Sequence, residues 1–166
     1  LLEETIVVFV GDHGEQFNEH GDWLHGALYQ ENIHVPMVLR IPGLSGRRIS
    51  GQVQVMDITP TLAGLCGLAS VDAWQARDLR PAILQGGVED GSAFSQYGTE
   101  RALVNQDRMK FLFEDGEAKL FDLKADPLEL TNIAGEPEYA KVLKALEAEV
   151  DKILGDSAAL RSSFED

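Results

Sequence analysis

Two continuous apolar runs lie within the first 41 residues of the chain, at residues 5–10 and 35–41. Both are rich in β-branched residues, and neither alternates apolar with polar positions. A strand that is apolar on both faces is typical of a parallel sheet covered by helices. We therefore predict two buried strands, with a short helix over residues 27–32 between them. A third strand over 53–55 and a helix that starts at Thr59 and Pro60 are expected next.

The pattern changes in the second half, where short alternating segments occupy residues 101–105, 109–114 and 119–123. The Asp115-Gly116 pair favours a tight β-hairpin between the last two. These features predict an antiparallel meander with one wet face, on which Phe111 points inward and Lys110 points to solvent. Residues 137–154 carry apolar side chains at spacings of three and four. They predict an amphipathic helix that covers the apolar face of the meander.

The chain is predicted to have two parts, with the boundary in the Gly- and acid-rich stretch from Gly86 to Gly91. Residues 1–88 are expected to form a partial α/β unit, with a mixed or parallel sheet and helices. Residues 89–166 are expected to form a small α+β subdomain, in which a C-terminal helix covers an antiparallel sheet. Because the chain opens without Met and close to its first strand, we expect a piece of a longer protein.

Charge and cysteine content exclude several classes of function. The 166 residues carry 14 Lys and Arg against 28 Asp and Glu, a net charge of −14. Such a surface repels phosphate backbones and anionic lipid, so we expect neither nucleic-acid binding nor membrane contact by this chain. The single cysteine, Cys66, excludes an internal disulfide framework and any Cys-based zinc site made by this chain alone.

The candidate chemistry lies between Asp12 and His34. Asp12 and His13 directly follow the first predicted strand, and open α/β sheets bind ligands at the carboxyl ends of their strands. A carboxylate beside an imidazole suits a divalent cation, although a solvated turn would have the same residues. His25 is a candidate for binding an anion or for general acid catalysis. His20 is either solvated or part of this cluster, and His34 is expected to pack or cap.

Six motifs follow one another along the chain. Gly-Asp-His-Gly-Glu occupies 11–15, Trp-Leu-His-Gly 23–26, His-Val-Pro-Met 34–37 and Asp-Ile-Thr-Pro-Thr 57–61. Leu-Phe-Asp-Leu at 120–123 and Asp-Pro-Leu-Glu-Leu-Thr-Asn at 126–132 come later. In this order and spacing they resemble the C-terminal part of the sulfatase catalytic domain, within the alkaline-phosphatase superfamily, and the C-terminal subdomain that follows it. The resemblance implies a sulfuric ester hydrolase that acts on a sulfate ester substrate.

The resemblance also implies roles for three residues. Asp12 and His13 match paired metal ligands of the family, for which calcium is the expected ion and zinc or manganese the alternatives. His25 matches a Lys or His that family members direct at the sulfate ester. The physical logic agrees, because a dication neutralises non-bridging oxygens while a cationic or proton-donating side chain helps the leaving oxygen depart.

One part of the family's machinery does not occur in this sequence. Sulfatases attack with a formylglycine made from Cys or Ser in a Cys/Ser-x-Pro-x-Arg motif, and this chain has no such motif. Cys66 is interpreted as a small buried hydrophobe. We therefore expect the formylglycine in an upstream part of the catalytic domain, which would be this chain's partner. Alone, the chain is expected to be inactive and, through an open sheet edge, to self-associate.

Two other functions stay open. The Leu-His-Gly and His-Val-Pro-Met motifs are also similar to those of a phosphoethanolamine transferase, a zinc enzyme of the same superfamily. The later Leu-Phe-Asp-Leu and Asp-Pro motifs are typical of sulfatases and are not expected in the transferase. A non-catalytic module that keeps the sheet is the third interpretation.

Overall fold

A computed structural model describes residues 1–86 and 91–162. The predicted domain boundary between residues 88 and 89 lies outside these residues. None of the helices in the described part combines the length and the apolar character needed to cross a membrane. The elements are, in chain order, β1 (Val7–Val10), β2 (Gln16–Phe17), β3 (Trp23–Leu24), α1 (Gln30–Ile33), β4 (Met37–Arg40), α2 (Ile58–Leu65), α3 (Arg80–Gln85), β5 (Ala93–Tyr97), β6 (Glu100–Val104), β7 (Met109–Glu114), β8 (Glu117–Asp122) and α4 (Ala140–Ser162).

The two apolar runs form the strands β1 and β4, with the short helix α1 between them. The predicted burial of both faces is wrong, because exposed and half-buried residues alternate along each strand. The strands pair with each other antiparallel, with Val7 opposite Arg40 and Val10 opposite Met37. A parallel pairing was therefore the wrong expectation for these two strands within the mixed α/β architecture. An apolar run reports burial and carries no information on strand direction. One face of the pair is open, since Phe9 and Val38 are 65% and 59% exposed.

The predicted third strand over residues 53–55 is wrong. Val55–Asp57 is instead a turn of 3-10 helix that runs directly into α2. The buried Asp57 carboxylate causes this, because it accepts the Gln54 N–H at 2.9 Å and the Arg77 N–H at 2.8 Å. The helix therefore begins at Ile58, with Asp57 at the N-cap position that was predicted for Thr59, two residues earlier than expected.

Gly64 in α2 and Gly67 just after it make the helix closely packed and short. A Cβ at Gly64 would collide with the guanidinium of Arg80, which packs across this turn. Gly67 has a φ of +73°, a left-handed conformation that ends the helix. Cys66 lies at this end and is exposed, so its interpretation as a buried hydrophobe is wrong. The turn at the helix end directs it outward.

The predicted meander is confirmed as the antiparallel sheet β5-β6-β7-β8. Its first strand, β5, was not predicted from the sequence. Asp115 and Gly116 both have positive φ, 53° and 82°, as a type I′ hairpin requires. The turn joins β7 to β8 with Glu114 opposite Glu117.

Both faces of this sheet are buried, so the predicted wet face is wrong. One face packs against α4, where Phe111 of the sheet lies in one cluster with Leu146 and Val150 of the helix. The other packs against the residues just before α1, Leu28 and Tyr29, through side chains of three strands and of the turn after β8: Ala102, Val104, Leu112, Phe121 and Leu123. Lys110 lies on this second face and is fully buried.

The C-terminal helix is confirmed and is longer than predicted. A 3-10 turn at Pro137–Tyr139 leads into α4, which continues beyond residue 154 to Ser162. Leu146 and Val150, one turn apart, are 2% and 3% exposed against the sheet. The three- and four-residue spacing therefore identified the buried face correctly.

Candidate active site

The turn after β1 is held against α1 by backbone contacts. The Gly11 N–H donates to the Pro36 carbonyl at 3.1 Å, and the Gly14 N–H donates to the Asn32 carbonyl at 2.7 Å. A Cβ at Gly14 would collide with the carbonyl of Glu31. Only glycine lets the loop approach the helix this closely. The turn thereby projects Asp12 and His13 from the end of the strand.

Asp12 and His13 direct one possible ligand atom each, Oδ2 and Nε2, toward each other. The Asp12 side chain is 92% exposed, and its Oδ2 lies 3.8 Å from the His13 Nε2. The His13 Nδ1 lies 2.7 Å from the Gly14 carbonyl oxygen, to which it donates a hydrogen bond. This contact assigns the lone pair to Nε2, the arrangement of metal-binding histidines whose other ring nitrogen is hydrogen-bonded. A hydrogen bond from the His13 backbone N–H lowers the pKa of Asp12, which keeps the carboxylate ionised.

His25 packs directly on this pair. Its ring stacks on the ring of His13 with centroids 4.0 Å apart, and its Nδ1 lies 3.2 Å from a Glu15 carboxylate oxygen. The structure thus brings together the three residues singled out in the sequence. Glu15, which sequence reasoning did not assign, joins them: ligand atoms of His13, Glu15 and His25 lie within 4.8 Å of one another. In the sequence, Glu15 could have been identified by its position directly after the Gly-Asp-His-Gly turn.

The remaining two histidines differ in their surroundings. His20 packs inside, with its ring 3.7 Å from the Tyr29 ring and its Nε2 3.5 Å from a Glu31 oxygen. It is therefore neither solvated nor in contact with His25. His34 is exposed at the end of α1, where it is the C-cap residue and its backbone N–H donates to the Gln30 carbonyl at 2.9 Å.

A broad cleft of about 1350 Å³ opens beside these residues. Asp12, His13 and His25 line it together with His34 and three arginines, Arg40, Arg47 and Arg48. These are the only Lys or Arg residues among the first 50 of the sequence, in a chain of net charge −14. The cleft therefore concentrates the positive charge that this part of the chain has, which favours an anionic ligand.

Comparison with known proteins agrees with this fold. The family model described as Sulfatase matches residues 1–68. A choline-sulfatase of Rhizobium meliloti is 30% identical over 146 residues, which cover 82% of this chain and 28% of that protein. Arylsulfatase K of Gallus gallus is 30% identical over 152 residues, covering 81% of this chain and 28% of that protein. This chain thus spans less than a third of the length of these curated relatives.

Solved structures show the same fold. A protein in complex with its substrate D-glucosamine-2-N,6-O-disulfate aligns with a TM-score of 0.77 and 25% identity over 91% of this chain and 34% of its own. The phosphonate monoester hydrolase of Agrobacterium radiobacter aligns with a TM-score of 0.74 and 27% identity over 95% of this chain and 36% of its own. The fold is a part of the alkaline-phosphatase-like α/β architecture with a small C-terminal subdomain. The chain belongs to the sulfatase family.

Proposed function

We propose that this chain is the C-terminal part of a sulfuric ester hydrolase, in which it contributes part of the metal site and a group that acts on the ester. The observation that carries the proposal is the convergence of Asp12, His13 and His25 on one cleft at the end of β1. Relatives named sulfatase and arylsulfatase support this reaction over the phosphoethanolamine transferase alternative. A sulfate monoester is the proposed substrate class, supported by the sulfated substrate of a structural relative.

Asp12 and His13 are proposed to hold a divalent cation. Their facing atoms are 3.8 Å apart, close enough for both to bind one ion, and the lowered pKa of Asp12 keeps its carboxylate in the ionised form that binds metal. Calcium is the expected ion from the carboxylate oxygen and the family resemblance, whereas the imidazole nitrogen also suits manganese or zinc. When bound, the cation would stabilise negative charge on the non-bridging sulfate oxygens.

His25 is proposed to assist departure of the leaving oxygen. The Glu15 carboxylate, 3.2 Å from Nδ1, holds the proton of that nitrogen and directs the opposite nitrogen away from Glu15. When protonated, the ring can donate a proton from this opposite nitrogen to the leaving oxygen. The role requires only that Nε2 reach the ester oxygen in the cleft.

The nucleophile is proposed to come from outside this sequence. A formylglycine in the upstream part of the catalytic domain would face the cleft lined by Asp12 and His25, and that part would cover the exposed Phe9 and Val38. The isolated 166-residue chain is then expected to hydrolyse no sulfate ester and to self-associate through this apolar face. Sedimentation velocity of the isolated chain tests the second expectation, which a concentration-independent monomer would contradict.

The test of function is an assay of the full-length protein that carries this chain. Turnover of p-nitrophenyl sulfate is measured beside p-nitrophenyl phosphate and a phenylphosphonate monoester. Each assay is repeated after chelation and after addition of calcium, manganese or zinc. We expect the sulfate ester to be preferred and one cation to restore activity. His34→Ala, which alters an exposed histidine of the same cleft, is the matched control for His25→Ala. Preference for the phosphonate ester, or full activity in His25→Ala, would contradict the proposal.

A further inference from the structure

A buried ion pair lies outside the site and has no part in the proposed chemistry. Lys110 and Glu129 form it, and both side chains are fully buried. Lys110 also donates a hydrogen bond to the Leu28 carbonyl at 2.6 Å and lies 5.5 Å from the Tyr29 ring centroid. Burial lowers the pKa of Lys110, and the Glu129 carboxylate opposes this effect. Since well-packed apolar residues stabilise a core as well as a buried pair does, this pair calls for a reason other than stability.

Glu129 is aimed inward by the turn that follows β8. Its φ is +55°, a left-handed conformation that is costly for a residue with a side chain. Asp126 holds this conformation, because its carbonyl accepts the Glu129 N–H at 3.2 Å and its carboxylate accepts the Thr131 N–H at 2.8 Å. The second Glu129 oxygen then accepts the Gln30 N–H at 2.6 Å. The turn thus directs one carboxylate at both Lys110 and Gln30.

The Gln30 N–H is the first backbone donor of α1. This helix is one turn long, and its N-cap residue, Tyr29, forms no capping hydrogen bond from its side chain. The first N–H groups of a helix have no partner within it, and a helix of a single turn is not stable by itself. Glu129 supplies the missing acceptor from the C-terminal subdomain. The position of α1 therefore depends on a residue about 100 positions away in the sequence.

The helix α1 in turn forms hydrogen bonds to both segments of the site, the turn after β1 and the segment that follows His25. The Asn32 carbonyl accepts the Gly14 N–H at 2.7 Å, directly after His13. The Asn32 side chain donates to the Ala27 carbonyl at 2.9 Å, two residues after His25. A displacement of α1 would therefore move the turn that bears His13 and the segment that bears His25 together.

We propose that Lys110 and Glu129 are positioning residues of the active site: through Leu28 and Gln30 they place α1, and α1 places Asp12, His13 and His25. The inference rests on the proposed function only in taking those three residues as the site. The C-terminal subdomain is then part of the catalytic apparatus, and Lys110 and Glu129 act through their contacts with the segment around α1.

Two double variants of the full-length protein separate positioning from charge. Lys110→Met with Glu129→Gln removes both charges, and the amide oxygen still accepts from the Gln30 N–H. Lys110→Met with Glu129→Met removes the same charges and also the acceptor. Val150→Ala is a destabilising control. Val150 belongs to α4, which packs on the other face of the sheet, away from α1. For each protein we would measure the melting temperature, the Kd for calcium or manganese alone, kcat and KM for p-nitrophenyl sulfate, and the ring NMR signals of His13 and His25.

The variant without the acceptor is expected to bind the cation at least about tenfold more weakly than the variant that keeps it. Its kcat should fall with little change in KM, and the ring signals of both histidines should shift. Val150→Ala should lower the melting temperature and leave the other readouts unchanged. Equal cation affinity, kcat and ring signals in the two double variants would overturn the proposal. Losses of cation affinity and kcat in Val150→Ala, in proportion to its lower melting temperature, would also overturn the proposal.

The ring signals require neither cation nor substrate, so they test positioning even if the proposed function is wrong. A protein that hydrolyses no sulfate ester but shows the split in ring signals between the double variants refutes the function and keeps the positioning role. If both double variants hydrolyse sulfate esters equally well, the proposed function is supported and the positioning role is refuted.

Discussion

Replacement of Leu112 by Ala tests whether the second face of the meander is buried. Leu112 is fully buried on β7, among Leu28, Tyr29 and Phe121. In the alternating pattern of the sequence, this face was predicted to be wet. On a wet face the substitution would change stability by less than about 0.5 kcal/mol. The structure therefore predicts a much larger loss of stability than the sequence pattern does.

The expected loss follows from the atoms removed. Leu→Ala deletes three carbons, and at about 0.8 kcal/mol per buried CH₂ their transfer contributes about 2.4 kcal/mol. The cavity that remains adds to this, and fully buried Leu→Ala substitutions cost about 2.7–5 kcal/mol in total. We expect about 3 kcal/mol for Leu112→Ala. The matched control is Leu128→Ala, the same substitution at a residue that is 64% exposed.

Urea unfolding of the chain, followed by far-UV circular dichroism at several protein concentrations, measures both variants. With a slope of about 1–3 kcal/mol per M, Leu112→Ala should lower the midpoint by roughly 1–3 M. Leu128→Ala should leave the midpoint within about 0.5 M of the parent. A loss below about 1 kcal/mol for Leu112→Ala, or equal losses in the two variants, would refute the burial of this face.

Three further outcomes are expected. Asp12→Ala should weaken divalent cation binding at least about tenfold in calorimetric titrations, because a methyl group cannot replace a charged oxygen ligand; an unchanged Kd would remove Asp12 from the metal site. His25→Ala should lower kcat for p-nitrophenyl sulfate more than it raises KM, since the proposed contact strengthens as the leaving oxygen gains charge; a pure KM effect would indicate a binding role. The hydrogen bond from Arg80 holds the pKa of Asp78 below its ordinary 3.8, so the stability from this pair is present above that value and is lost as the pH falls through the lower folded-state pKa. The urea midpoint of Asp78→Asn should thus lie below that of the parent at pH 7, and the difference should shrink as the pH is lowered below 3.8; a constant difference would contradict the assignment.

The sequence alone determined the elements that depend only on residues close together in the chain. The apolar runs before Gly11 and after His34 predicted β1 and β4, and the positive-φ pair Asp115-Gly116 predicted the hairpin that the structure contains. The spacing of apolar residues predicted the buried face of α4. Asp12 and His13 could be placed in the turn after a strand for the same reason, since strand end and turn residues are adjacent in the chain.

Only the tertiary structure decided which faces meet. Alternation placed Lys110 on a solvent face because a charged residue is normally exposed. The structure buries it instead, since Glu129 neutralises its charge and the Leu28 carbonyl accepts its hydrogen bond, and neither partner is its neighbour in sequence. The antiparallel pairing of β1 with β4 and the contact of Glu15 with His25 were likewise set by long-range contacts. A periodic pattern reports which side of an element is apolar, whereas direction, partner and charge compensation depend on residues that only the folded chain brings together.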